Sequence, residues 1–259
     1  AGGGEYPTLL LRPLPCGPPA PGATFFFLDP DHAMSQGLIP ATILTGFLGS
    51  GKTTLLKRVL SENHGHKIAV IENEFGEENI DNEILVDDAG KEQILQLSNG
   101  CVCCTIREDL RSTLTTLAEK KRKGELDFDR VVIETTGLAD PGPVAQTFFM
   151  DDEIAESYLL DSILTLVDAK HADGPLDSRQ EARRQIGFAD QIFISKTDIA
   201  DEATVDALVH RIKHMNPRAP QRKVHFGEVP IAEVFDLRGF NLNAKLDIDP
   251  EFLNAENAH

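Results

Sequence analysis

From residue 39 onward the chain alternates short, uniformly apolar runs with longer amphipathic ones. The segments ATILT (41–45), KIAVIE (67–72), RVVIE (130–134), SILTLVD (162–168) and QIFIS (191–195) are rich in β-branched residues. They are too uniformly apolar for half-exposed strands. Such runs predict strands buried on both faces, as in a parallel sheet. RKVHF (222–226) is a further strand candidate. Between them, KTTLLKRVLSEN and IREDLRSTLTTLAEKKRKG have helical spacing, with Ile106, Leu110, Leu114 and Leu117 on one face. Strands alternating with helices predict an α/β fold: a doubly wound, mostly parallel sheet with right-handed crossovers. Ligands of such sheets gather at the carboxyl ends of the strands. No internal repeat is evident.

The first residues break this pattern. They are rich in Gly and Pro, show no sustained periodicity, and lead up to Met34. They fit neither a signal peptide nor a transit peptide, since Arg12 is the one basic residue among them. Residues 1–35 therefore read as a disordered extension foreign to the native protein, with Met34 as the translation start. Residues 36–230 read as the globular domain, and 231–259 as a linker.

Composition narrows the function. A formal net charge of −17 argues against a broad electrostatic footprint on nucleic acid or anionic lipid, which ask for a basic face. No apolar run approaches the roughly 20 residues that cross a bilayer. Four cysteines in 259 residues do not make a disulfide scaffold, and with no export signal the expectation is reduced thiols in the cytoplasm.

The most specific motif is GFLGSGKT, Gly46 to Thr53, which satisfies G-x-x-x-x-G-K-[ST] between a predicted strand and a predicted helix. Gly46, Gly49 and Gly51 let backbone amides converge on phosphate oxygens. Lys52 brings positive charge to the β- and γ-phosphates, and Thr53 offers a hydroxyl to Mg²⁺. Ser50 and Thr54 complete the phosphate-binding stretch, and the helix adds its N-terminal dipole. Downstream, SKTD (195–198) follows a strand, where P-loop GTPases carry [N/T]KxD. Asp198 suits the guanine edge, and Lys196 lies against the base or braces the P-loop. Ser195 replaces the usual Asn or Thr, which shortens that brace. In VVIETTGLADPGP (131–143), Glu134 is the expected Mg²⁺ carboxylate, and the Gly137 amide is expected near the γ-phosphate.

Together LTGFLGSGKTTLL, IAVIENEFGE, NGCVCC and ETTGLADPGPV resemble the CobW-type metallochaperone GTPases, a likeness running from about Ile39 to Asn243. The resemblance implies a P-loop NTPase domain of the SIMIBI type and GTP hydrolysis coupled to loading or release of a transition metal, Zn²⁺ or in some members Co²⁺. It maps the family's CxCC motif onto Cys101, Cys103 and Cys104, and its acidic switch segment onto residues 72–77, with Glu72 and Glu77 as extra ligand candidates. The family usually adds a smaller C-terminal domain, so residues 231–259 are expected to lead toward a domain this chain lacks.

A vicinal disulfide, a C-x-x-C redox pair and inert buried thiols compete for the same cysteines. A reducing compartment, the missing redox-fold pattern and the crowding of three thiols weigh against each in turn. Three thiolates favour soft or borderline ions and fall one ligand short of a tetrahedral site. The expectation is that Glu72 or Glu77 completes it in a nucleotide-dependent way. His64, His66, His171, His210 and His214 read as helix-end, loop or surface residues.

The function expected is thus a GTPase with slow intrinsic turnover, serving metal transfer to a client metalloprotein and compatible with a homodimer. A cobalt-handling accessory of corrin synthesis, a metal buffer with a structural nucleotide site and an ATP-using P-loop NTPase are the alternatives.

Overall fold

The computed structural model describes residues 37–62, 65–73, 85–86, 92–97, 105–235 and 237–253. Among them run β1 (Ile39–Gly46), α1 (Lys52–Ser61), β2 (Ile68–Asn73), β3 (Leu85–Val86), β4 (Glu92–Leu97), α2 (Thr105–Arg122) and β5 (Arg130–Glu134). There follow α3 (Pro141–Met150), α4 (Asp152–Ser157), β6 (Tyr158–Asp168), α5 (Asp173–Ser178), α6 (Gln180–Gly187) and β7 (Gln191–Ser195). The chain continues through α7 (Glu202–Met215), β8 (Gln221–Lys223), a 3₁₀ turn (Ile231–Glu233) and α8 (Leu242–Ile248).

The strands form one sheet of order β3-β4-β2-β5-β1-β6-β7-β8, parallel throughout except for the short β3. Burial on both faces explains the unbroken apolar runs. Ala41 and Ile43 of β1, Ala69 and Ile71 of β2, and Val131 and Ile133 of β5 join one core with Leu110, Leu114 and Leu117 of α2. Leu44, Val70 and Val132 face the other way, onto Leu55, Leu56 and Val59 of α1. A third cluster packs Ile192 and Ile194 of β7 against α5, α6 and α7.

Two outer strands escape the sequence reading. β4, EQILQL, carries too many polar residues to resemble a doubly buried strand, and β3 is two residues long. The candidate RKVHF is ordered one residue earlier, as Gln221–Lys223. Val224 still donates to the Ile194 carbonyl at 2.8 Å, and the chain then turns at Phe226, whose φ is +45°.

Residues 231–253, expected as a linker, pack on the sheet. Phe240, Leu242 and Phe252 are buried in the first core, and Val234 and Phe235 in the second. Lys245 of α8 reaches inside, where its Nζ lies 2.6 Å from Asp190 Oδ1 and donates to the Phe188 carbonyl at 2.7 Å. Among the described residues, no helix is long and apolar enough to cross a membrane.

Candidate functional site

The parallel register sets four carboxyl ends side by side. Leu44 of β1 pairs with Glu134 of β5, Glu134 pairs with Glu72 of β2, and Asn73 pairs with Leu97 of β4. The loop after β1 therefore emerges at the centre of the sheet edge where ligands of this architecture bind.

That loop is the P-loop, and its glycines are needed for position. Gly46 has φ +141°, and a Cβ there would lie 2.3 Å from the Leu166 carbonyl oxygen. Gly51 caps α1 in the left-handed region at φ 100°, with no side chain closing the helix end. The first-turn amides of α1 are thus left for a bound anion.

Lys52 is the buried cation of the loop, 7% exposed. Its Nζ donates to the Gly46 carbonyl at 2.8 Å and lies 3.4 Å from that of Phe47. Burial lowers its pKa, and the nearby Glu134 carboxylate opposes that shift. Thr53 Oγ1 donates to Glu134 Oε1 at 3.0 Å. A hydroxyl and a carboxylate converging this way are oxygen donors that suit Mg²⁺. Ser50 Oγ is buried with no hydrogen-bond partner among the described residues, a polar atom inside the cradle that a phosphate oxygen would satisfy. The donor set therefore fits a Mg²⁺–nucleotide, with Thr53 and Glu134 as the metal-side residues. Thr54 is exposed on α1 next to them.

The segment after β5 closes against the P-loop. Thr135 Oγ1 donates to Thr45 Oγ1 at 2.8 Å, and Thr135 N donates to the Leu44 carbonyl at 2.9 Å. Gly137 follows, so near the P-loop that a Cβ on it would lie 2.5 Å from Leu48 N. The backbone of Gly137, expected near the γ-phosphate, is thereby brought to the loop.

The SKTD motif begins at Ser195, the last residue of β7. Ser195 Oγ donates to the Ser50 carbonyl at 2.6 Å and lies 3.3 Å from that of Val167. The short serine brace thus reaches the P-loop directly. Lys196 takes φ +56°, and its Nζ donates to Asp168 Oδ2 at 2.7 Å. Asp168, at the end of β6, also lies 2.9 Å from His171 Nδ1 and accepts from the Lys170 amide at 2.9 Å. Burial pushes the Asp168 carboxyl up, but the hydrogen bonds from Lys196, His171 and the Lys170 amide outweigh it, and its pKa falls below the usual carboxylate value. Asp198 is exposed, with His225 Nδ1 3.6 Å away. Replacing Ser195 with alanine removes one hydrogen bond of about 1 kcal/mol. Guanine nucleotide affinity is expected to fall about fivefold, read by titration with a fluorescent guanine nucleotide; an unchanged affinity would show that the brace is idle.

Of the described histidines, His171 lies against Asp168 and His225 lies near Asp198. His66 stands edge-on to Phe235, and His210 and His214 stack at 4.8 Å on α7. His64, Glu77, Cys101, Cys103 and Cys104 lie outside the described residues. Glu72, the next-to-last residue of β2, pairs in register with Glu134, and of Glu72 the backbone alone is described. Among the described residues, no group of three or more His, Cys, Asp or Glu is arranged for a metal.

Sequence reasoning left Asp168 and Gln185 outside the site. The first is visible in the sequence only as an acid ending an apolar strand. The second, on α6, carries no motif signal at all.

The family described as CobW/HypB/UreG, nucleotide-binding domain, matches residues 40–223. The chain is 48% identical over 204 residues to the zinc chaperone YjiA of Escherichia coli K12, covering 79% of this chain and 63% of that protein. It is 37% identical over 220 residues to the zinc-regulated GTPase metalloprotein activator 1 of Schizosaccharomyces pombe, covering 83% of this chain and 53% of the relative. The chain therefore spans between about half and two thirds of the length of these relatives. The crystal structure of Zn(II)-bound YjiA GTPase from Escherichia coli superposes with a TM-score of 0.63 at 43% identity, over 78% of this chain and 63% of that one. A P-loop at the centre of a parallel sheet, a guanine-type motif braced to it and a family match across both make one conclusion: this chain belongs to the CobW/HypB/UreG family, as its nucleotide-binding domain.

Proposed function

We propose that this domain binds and hydrolyses GTP and couples that cycle to the binding and transfer of zinc, held at Cys101, Cys103 and Cys104, to a client metalloprotein. One observation carries the coupling. β2 and β4, whose ends lead into residues 74–84 and 98–104, open at the sheet edge that also holds Glu134 and the P-loop. Chain connectivity ties the thiol segment at both ends, to Leu97 of β4 and Thr105 of α2. A segment joined to strand ends beside a γ-phosphate site is one that nucleotide can bias. The zinc-handling names of the relatives favour zinc as the cargo. Cobalt becomes the competing ion of the test.

In the chemical step Lys52 offsets charge on the phosphate oxygens, and the Gly137 amide meets the γ-phosphate. Mg²⁺ held by Thr53 and Glu134 supplies further neutralisation of the phosphates. Asp198 accepts from the guanine edge while Ser195 ties the base loop to the phosphate loop. Water attacks the γ-phosphorus, the bond from that phosphorus to the β–γ bridging oxygen breaks, and GDP and phosphate depart. Turnover of the isolated domain is slow, since the described site holds no arginine aimed at the phosphates. Glu72 or Glu77 supplies the fourth cargo ligand in the triphosphate state.

The test is a Zn²⁺ and Co²⁺ titration against a chromophoric chelator with Mg²⁺ plus GTP, a non-hydrolysable GTP analogue or GDP. A Cys101/Cys103/Cys104→Ser triple variant runs alongside. Tighter, cysteine-dependent zinc binding with the triphosphate is expected. Equal affinity in every nucleotide state would leave two uncoupled sites and overturn the proposal.

A further inference from the structure

Gln185 lies on α6, 1% exposed, with no motif around it. Its Nε2 donates to the Ala139 carbonyl at 2.9 Å and lies 3.3 Å from the Gly137 carbonyl, within hydrogen-bond reach. A primary amide has two N–H groups, and here both face the segment that follows β5. The root of the side chain is fixed as well, because the Gln185 backbone carbonyl accepts from Thr165 Oγ1 of β6 at 2.8 Å. The next residue back, Arg184, pairs with Asp140, the N-cap of α3, so that α6 grips the same segment at its far end.

Gly137 is thus wedged between two neighbours. Leu48 of the P-loop stands on one side, at a distance no side chain would tolerate. The Gln185 amide holds the carbonyls on the other. Holding the Gly137 and Ala139 carbonyls fixes the peptide planes that follow these two residues, and so restrains the backbone past the P-loop, with the Gly137 amide one peptide upstream. A small cavity of about 120 Å³, lined in part by Gln185, Phe47, Leu48 and Asp168, lies next to this contact. The α6 face is otherwise apolar, with Ala182 and Ile186 in the third core. An apolar side chain of the same length would leave the two carbonyls without this donor, so the segment uses the amide and not only the bulk of the side chain.

We propose that Gln185 is the positioning residue of the triphosphate-sensing segment, holding the Gly137 and Ala139 carbonyls so that the Gly137 amide is preset for a γ-phosphate. This rests on the guanine-nucleotide reading above. The segment is needed only where a γ-phosphate is present, so the residue acts on GTP and leaves GDP alone.

The experiment compares wild type, Gln185→Glu and Gln185→Met, using a fluorescent GDP, a non-hydrolysable fluorescent GTP analogue and single-turnover GTP hydrolysis. Glutamate keeps the shape and loses the donors; methionine keeps the length without polar atoms and tests the point again should glutamate fail to fold. Expected are GDP affinity within about twofold of wild type, and GTP-analogue affinity and turnover each lowered about tenfold, the scale of one or two buried hydrogen bonds. Equal weakening of both nucleotides in folded variants would assign Gln185 a merely structural role and overturn the proposal. Unchanged analogue affinity would overturn it too. Wild type failing to bind any guanine nucleotide would instead overturn the functional reading on which it rests.

Discussion

Gly137→Ala is expected to lower GTP turnover about 100-fold while leaving the protein folded, measured by phosphate release with the thermal unfolding midpoint as control. The added Cβ would lie 2.5 Å from Leu48 N, 2.6 Å from Leu48 Cα and 3.0 Å from Leu48 Cβ. Two of these are backbone atoms, so no rotamer change relieves the overlap. The segment after β5 is held by Gln185, whereas Leu48 sits 76% exposed at the loop tip. The P-loop therefore yields. A shift of about 1 Å in amides aimed at phosphate is enough to cost two orders of magnitude in rate. Gly124→Ala is the matched control: it has φ +73° and no neighbour within 4 Å, so it costs about 1 kcal/mol of local strain and no activity. Turnover of Gly137→Ala within a few-fold of wild type would show that the close approach does not constrain the loop.

Lys245→Met is expected to destabilise the domain by about 3–5 kcal/mol. The Lys245 side chain is 2% exposed and that of Asp190 5%. Asp190 also accepts from the Ile163 amide at 2.8 Å, which holds the carboxylate in place when its cation is gone. Methionine fills the space and leaves an uncompensated buried charge, and that charge carries the cost. A Lys245→Met/Asp190→Asn double variant is accordingly expected to recover more than half of the loss, since asparagine still accepts from Ile163 and carries no charge. Urea denaturation at neutral pH measures both. A single variant costing under about 1 kcal/mol would mean that the pair contributes little to holding α8.

The parts of this protein that a sequence displays are those whose chemistry is local. The P-loop is written in eight consecutive residues, and each doubly buried strand is announced by its own composition. Ser195 shows the limit of that legibility: its place in the motif is readable, but its reach to the Ser50 carbonyl, 145 residues away, is a property of the β1–β6–β7 neighbourhood. Gln185 is harder still. Its partners are backbone carbonyls, which no side-chain pattern reveals. The C-terminal segment misled for a related reason. Phe235, Phe240 and Phe252 anchor it at irregular spacing, and the Asp190–Lys245 pair joins residues 55 apart, so no periodicity marks it as core. β4 escaped because its glutamines interrupt the apolar run.

Among the described strands, the first in chain order lies in the middle of the sheet. β1 pairs with residues 130–134 on one side and 158–168 on the other, so its hydrogen-bonding edges have no native partner until much later residues leave the ribosome. At roughly 5–20 residues per second, about 120 residues of synthesis separate the end of β1 from the end of β6, a wait of roughly 6–24 s. Through that interval at least one hydrogen-bonding edge of the apolar run IPATILTG has no native partner. The nascent chain must be shielded there for longer than an early-folding helical domain would need. The Ser195 brace to the Ser50 carbonyl comes later still, so a fully braced phosphate loop is expected only after β7 has been made.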